Sequence, residues 1–99
     1  MRVYRYEMLD GGGPTFTLDG VHRKSGVQVP TELPGYVSGW NDYQMLMDYG
    51  QTRGFDTTLC RIVTYDIPDD EIRIIPTTGQ LFFPKFYVYK RLGKDVAIF

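Results

Sequence analysis

Histidine and cysteine are almost missing from this chain: His22 and Cys60 are the only ones. A single cysteine excludes an intramolecular disulfide and a cysteine-based zinc site. A single histidine excludes a two-histidine metal site, and no thiol or hydroxyl stands at a spacing that suggests a triad with it. His22 therefore reads as a loop residue and Cys60 as a small buried hydrophobe within a strand. An excess of one charge is also lacking. The 11 basic and 12 acidic residues leave a net charge of −1. A general nucleic-acid binder carries a clear basic excess, so that class is excluded. No apolar run approaches a membrane span, and Met1-Arg2-Val3-Tyr4 does not open a signal peptide. The expectation is a soluble, cytoplasmic protein without membrane contact. Internal repeats and low-complexity linkers are absent.

What the chain has is aromatic side chains. Eight Tyr, six Phe and one Trp stand among 99 residues. That length makes one domain, residues 1–99, with a modest core that large rings help to fill. Rings beyond the needs of the core are candidates for contact surfaces.

The pattern along the chain predicts an α+β fold of mostly antiparallel strands with one main helix, at about residues 41–49. Arg2 to Met8 alternates as a strand, with Val3, Arg5 and Glu7 on one face and Arg2, Tyr4, Tyr6 and Met8 on the other. Asp10-Gly11-Gly12-Gly13-Pro14 ends it, and residues 10–34 read as a long, mostly irregular loop. Gly35-Tyr36-Val37-Ser38 is a short strand ending on a hydroxyl. A helix follows, with Ser38 or Asn41 as its cap and Gly50 as its stop. Trp40, Tyr43, Leu46 and Met47 fall on one helical face. This strand–hydroxyl–helix unit can form the floor of a small-molecule site or simply a corner of the core. Thr57 to Tyr65, Glu71 to Ile75, Gln80 to Phe83, Phe86 to Leu92 and Asp95 to Phe99 read as further strands.

Candidate chemistry is sparse. Asp66, Asp69, Asp70 and Glu71 lack the spacing of a calcium loop and read as a solvated turn, so no metal is expected. Gly11-Gly12-Gly13 lacks the lysine and hydroxyl of a P-loop and reads as a flexible turn. Tyr4, Tyr6, Trp40, Tyr43 and Tyr49 can stack a planar ring, and Arg5 can hold a phosphate or carboxylate.

Three segments together resemble ADP-ribosyltransferase-like domains: Val3-Tyr4-Arg5-Tyr6, then Gly35-Tyr36-Val37-Ser38 with the helix reaching Tyr49, then Gly79-Gln80-Leu81-Phe82-Phe83-Pro84 followed by Tyr87-Val88-Tyr89-Lys90-Arg91-Leu92. The resemblance implies that Arg5 binds the pyrophosphate or ribose of NAD, Ser38 a ribose hydroxyl and Tyr49 the nicotinamide face. Gln80 stands where the family has its catalytic glutamate. A neutral amide keeps the hydrogen bond but loses the charge, and losing one such contact costs about 10²–10³ in rate. That implies a degenerate site or a scaffold reused for binding. The chain also resembles short bacteriophage and prophage proteins that open with a similar Arg-Val-Tyr-Arg strand.

Three functions follow as expectations. The first is a small phage-type protein that binds and modulates a host protein in the host cytoplasm. It would act without catalysis or cofactor, as an anti-defence or anti-CRISPR-like inhibitor. Its expected contacts are Tyr36, Trp40, Tyr87, Tyr89 and Arg91, the residue types that dominate interfaces. The alternative is an NAD-binding ADP-ribosyltransferase. The third is a self-associating structural protein that pairs exposed strand edges such as residues 95–99.

Overall fold

A computed structural model describes residues 1–28, 35–55 and 58–93. The elements in chain order are β1 (Arg2–Glu7), β2 (Tyr36–Gly39), α1 (Tyr43–Arg53), β3 (Arg61–Asp66), β4 (Arg73–Ile74), β5 (Leu81–Pro84) and α2 (Phe86–Leu92). A 3₁₀ turn at Asp69–Glu71 precedes β4. The class is α+β, and every strand pairing among the described residues is antiparallel.

The strands of the described residues form two sheets. β1 pairs with β3 from Arg2 opposite Asp66 to Glu7 opposite Arg61. The other sheet has the order β2-β5-β4. One rung joins the two: the Tyr4 and Trp40 main chains exchange hydrogen bonds of 2.7 and 2.9 Å. Gly39 makes that approach feasible, because a Cβ there would lie 2.5 Å from Val3 Cγ1 and 2.8 Å from the Tyr4 carbonyl oxygen.

The alternation of β1 is as the sequence predicts. Val3, Arg5 and Glu7 are buried. Tyr4 and Tyr6, on the opposite face, meet α1. Tyr4 stands edge-on to Tyr43 at 5.9 Å. The Tyr6 hydroxyl donates to Met47 Sδ at 3.3 Å, and its ring lies against Gly50. The core is Val3, Tyr65, Ile67, Leu81, Phe83 and Val88, with Leu18, Val37, Val63, Ile72, Tyr87 and Leu92 packed around it. Each aliphatic or Phe side chain buried there is worth about 1.5–3 kcal/mol.

Several expected boundaries shift. Asp42, not Ser38 or Asn41, caps α1, its Oδ1 accepting from the Met45 N–H at 3.0 Å. Gly50 lies inside the helix rather than ending it. The left-handed residue that closes α1 is Gly54, at φ 66°. Trp40 precedes the helix, and of the face proposed from the sequence only Leu46 is a buried helix residue. Cys60 lies just before β3 and is half-buried. Thr58 and Leu59 form a turn, and the Glu71–Ile75 strand contracts to Arg73–Ile74.

The largest correction concerns Phe86–Leu92, which is a helix and not a strand. Its Tyr-Val-Tyr run favours a strand, but the ends and the packing favour a helix. Pro84 ends β5. Val88 and Tyr89 donate back to the Lys85 carbonyl. Gly93, at φ 75°, closes the helix by donating to the carbonyls of Lys90 and Tyr89. Val88 and Leu92, four apart, share a face that packs tightly over Gly11. There are thus two helices among the described residues. The strand expected at 95–99 lies outside them.

The 10–28 loop is more ordered than its composition suggests. Arg23 donates from both Nη atoms to the Asp10 carboxylate at 2.9 Å and from Nε to the Gly13 carbonyl at 2.8 Å. Backbone bonds from Thr17 to Val21, His22 to Val27 and Arg23 to Thr15 fold the segment back on itself. His22 stacks edge-on against Phe16.

Candidate functional site

The alternation of β1 drives two charged residues into the interior, and both must find partners there. Glu7 is 0% exposed and Arg5 6%. The Glu7 carboxylate accepts from the Tyr65 hydroxyl and from Arg91 Nη2, and Arg91 Nε donates to the Tyr65 oxygen at 2.9 Å. Arg5 Nε lies 3.1 Å from Glu7 Oε2, near enough for charge pairing. That N–H is not aimed at the carboxylate and makes no hydrogen bond. Arg5 Nη1 donates to the Ser38 carbonyl at 3.4 Å and Nη2 to the Gly11 carbonyl at 3.2 Å. Burial pushes the Arg5 pKa down, and the Glu7 charge opposes that shift. Burial, reinforced by the bond to Glu7, raises the Tyr65 hydroxyl to about 12.

Beyond the Tyr4–Trp40 rung, β1 and β2 part, and the Arg5 guanidinium stands at the fork. The opening is a cleft of about 750 Å³, in the size range of ligand sites. One wall is the 12–20 loop. The other is Gly35-Tyr36-Val37-Ser38 with Phe82, and Tyr49, Arg53 and Phe55 stand at the end of α1. Among the described residues its charged lining is Arg5, Arg53, Lys85 and Asp19. Arg5 is already paired with Glu7, so Arg53 and Lys85 outnumber Asp19 on a chain of net charge −1.

Arg5, Ser38 and Tyr49, singled out as an NAD-binding set, all line this cleft. Tyr49 packs between Trp40 and Phe55, with the Arg53 guanidinium over its ring at 5.5 Å. Gln80 does not join them. It precedes β5 outside the lining, its N–H bonded to Thr78 Oγ1 and its carbonyl to the Ile75 N–H.

The residues expected to contact a partner do not share one surface role. Trp40 is a core residue, 7% exposed. Tyr87 packs on the core, and its hydroxyl bonds Glu71. Arg91 holds Glu7. Tyr36 lines the cleft and stacks with Arg73, and Tyr89 lies near Lys85 Nζ.

Gly11 and Gly12 are packing residues. A Cβ at Gly11 would meet Leu92, Leu18 and Val88 within 3 Å, and one at Gly12 would meet Arg23 at 2.6 Å. The acidic turn is also engaged: Asp69 pairs with the Met1 ammonium at 3.0 Å, and Glu71 accepts from Tyr87. Among the described residues no cluster of His, Cys, Asp and Glu could hold a metal.

Sequence reasoning missed Glu7, Tyr65, Arg53 and Lys85. Glu7 carried a signal, a carboxylate in register with Val3 on the buried face of β1. Arg53 and Lys85 carried none, since their neighbours in the cleft are distant in sequence. No helix of the described residues is long and apolar enough to cross a membrane. No family model, curated protein or solved structure matches the chain.

Proposed function

We propose that this chain is a small phage-type protein that binds and modulates a host protein without catalysis, with the cleft between β2 and the 12–20 loop as its binding surface. The observation that carries this reading is the cleft itself: an opening of about 750 Å³ with Arg53 and Lys85 on its lining. The strongest ionisable cluster supports it too. Glu7, Tyr65 and Arg91 are spent on tying the β1-β3 sheet to α2. The partner surface moves accordingly, from the aromatic set of Tyr87, Tyr89 and Arg91 to the cleft, with Tyr36 kept. Inhibition of a host defence nuclease, in the manner of anti-CRISPR proteins, is the activity this reading assigns.

The test is capture from a bacterial host lysate with the native chain and with the double variant Arg53→Glu, Lys85→Glu. A partner held by the native chain and lost by the folded variant supports the reading. Equal capture by both removes the cleft from it.

NAD binding on an ADP-ribosyltransferase-like scaffold is a second reading. It is favoured by one observation, that Arg5, Ser38 and Tyr49 meet in a single cleft. Titration with NAD, followed by backbone amide shifts, tests it. Shifts at Ser38, Tyr49 and Arg53 support it, and none at millimolar NAD retires it.

A further inference from the structure

Among the described residues, one edge of β2 has no strand along part of its length, and the hydrogen bonds show which part. In antiparallel pairing, successive residues turn their main-chain polar groups to alternate sides. The Gly35 carbonyl accepts from the Lys85 N–H at 2.8 Å, on the β5 side. Val37 and Gly39 face the same way, opposite Phe83 and Leu81. Tyr36, Ser38 and Trp40 therefore turn their N–H and C=O groups to the other edge. Trp40 is satisfied there by Tyr4, and the Ser38 carbonyl by Arg5 Nη1. The Ser38 N–H and both main-chain groups of Tyr36 have no backbone partner among the described residues. They border the cleft that Gly35, Tyr36, Val37 and Ser38 line.

An open strand edge invites another strand. We propose that the Tyr36–Ser38 edge of β2 is a strand-addition site for an extended, acidic segment of a partner protein. The proposal rests on the binding reading above and names the kind of partner it takes. Main-chain bonds to Tyr36 and Ser38 supply the register-independent part of affinity, as in other strand-addition complexes. Selectivity comes from charge. Among the described residues the cleft presents Arg53 and Lys85 against Asp19, so carboxylates at alternate positions of the added strand meet a cationic lining. The Arg5 guanidinium and the Tyr4–Trp40 rung close the inner end. An added strand therefore reaches Ser38 and goes no further.

The experiment uses three synthetic octapeptides. One alternates valine and glutamate, one alternates valine and lysine, and one repeats the acidic sequence with alternate backbone amides N-methylated. Each is titrated into the native chain, with amide shifts and hydrogen exchange read residue by residue. The expected result is exchange at Tyr36 and Ser38 slowed tenfold or more by the acidic peptide. The lysine peptide is expected to bind at least tenfold more weakly, and the N-methylated peptide to give no protection. Equal binding by the N-methylated peptide overturns the proposal. So do shifts at Tyr49 and Arg53 with unchanged exchange at Tyr36 and Ser38, although that outcome leaves the cleft as a binding surface. Silence throughout the cleft also overturns it, while the capture experiment separately decides the wider reading. Ser38→Pro removes the outward N–H and leaves the β5-facing bonds of Val37 and Gly39. It should lose the acidic peptide while Val37 and Phe83 stay protected. Should that variant not fold, the N-methylated peptide tests the same bonds on the native chain.

Discussion

Glu7 and Arg91 stand 84 residues apart in sequence and meet as an ion pair whose carboxylate is wholly buried. Arg91 sits in the last turn of α2 with its side chain 28% exposed, so it reaches inward from the rim. The pair ties the first strand to the last described helix. Removing one partner of a buried pair typically costs about 3–5 kcal/mol, because the other charge is stranded. Glu7→Ala strands Arg5 as well, and should destabilise by that amount in urea unfolding. The loss should shrink when Arg5 is replaced by Met in the same chain. A cost below about 1 kcal/mol, the range of exposed pairs, would contradict the assignment.

Arg5→Ala is a poor test of NAD binding for the same reason. Its guanidinium holds the carbonyls of Ser38 and Gly11 and offsets the Glu7 charge. The variant should lose stability by about 2–4 kcal/mol, whatever it does to ligand affinity. Arg53→Ala, at an exposed position, should leave the urea midpoint within about 0.5 kcal/mol of native and is the better probe of the cleft.

Tyr65 gives the fold an alkaline limit. Its hydroxyl ionises near pH 10 when unfolded and at about 12 when folded. Below pH 10 both states hold the proton and the contribution is complete. As the pH rises from 10 to 12 the unfolded state releases its proton first, and up to about 2–3 kcal/mol is lost. Urea unfolding between pH 9 and 11.5 should show that decline, and Tyr65→Phe should flatten it. Tyr6 and Tyr89, also raised by burial, add a smaller slope of the same sign.

Gly39→Ala should separate the sheets. Its Cβ would overlap both the Val3 side chain and the Tyr4 carbonyl, and backbone cannot move aside as a side-chain tip can. The expected loss is about 2–3 kcal/mol, at the upper end for overpacking. Gly54→Ala has open space around it and carries only the strain of φ 66°, so about 1 kcal/mol is expected. Equal effects in thermal unfolding would argue against the close Gly39–Tyr4 contact.

The Asp10–Arg23 clasp should show in loop motion more than in global stability. The hydrogen bonds from Arg23, with a further one from the Gly12 N–H, hold the Asp10 carboxyl below its usual range. The clasp is complete above the unfolded pKa and is lost as the pH falls through the folded one. Asp10→Asn should leave the unfolding midpoint within about 1 kcal/mol of native, as for exposed pairs. It should also speed amide exchange at Thr17, His22 and Arg23 severalfold.

Local pattern alone determined a good part of this protein. Alternation in β1 placed Val3, Arg5 and Glu7 inward, because successive strand residues point to opposite faces. The α+β class, the helix in the middle of the chain and the short strand at Tyr36–Ser38, which runs on to Gly39, were legible for similar reasons. The family resemblance, and not local pattern, singled out Arg5, Ser38 and Tyr49, and all three line one cleft.

Tertiary structure decided the rest. The Phe86–Leu92 segment has the residues of a strand, yet it is a helix, because Gly93 closes it and Val88 and Leu92 pack on Gly11, far away in the chain. The α1 cap is Asp42, which accepts from the Met45 N–H, and its stop is Gly54, while Gly50 lies inside the helix beside the Tyr6 ring. The partners of Glu7 and the cationic lining of the cleft come from residues distant in sequence. Periodicity reports which way a side chain points, but only the folded backbone determines what it meets there.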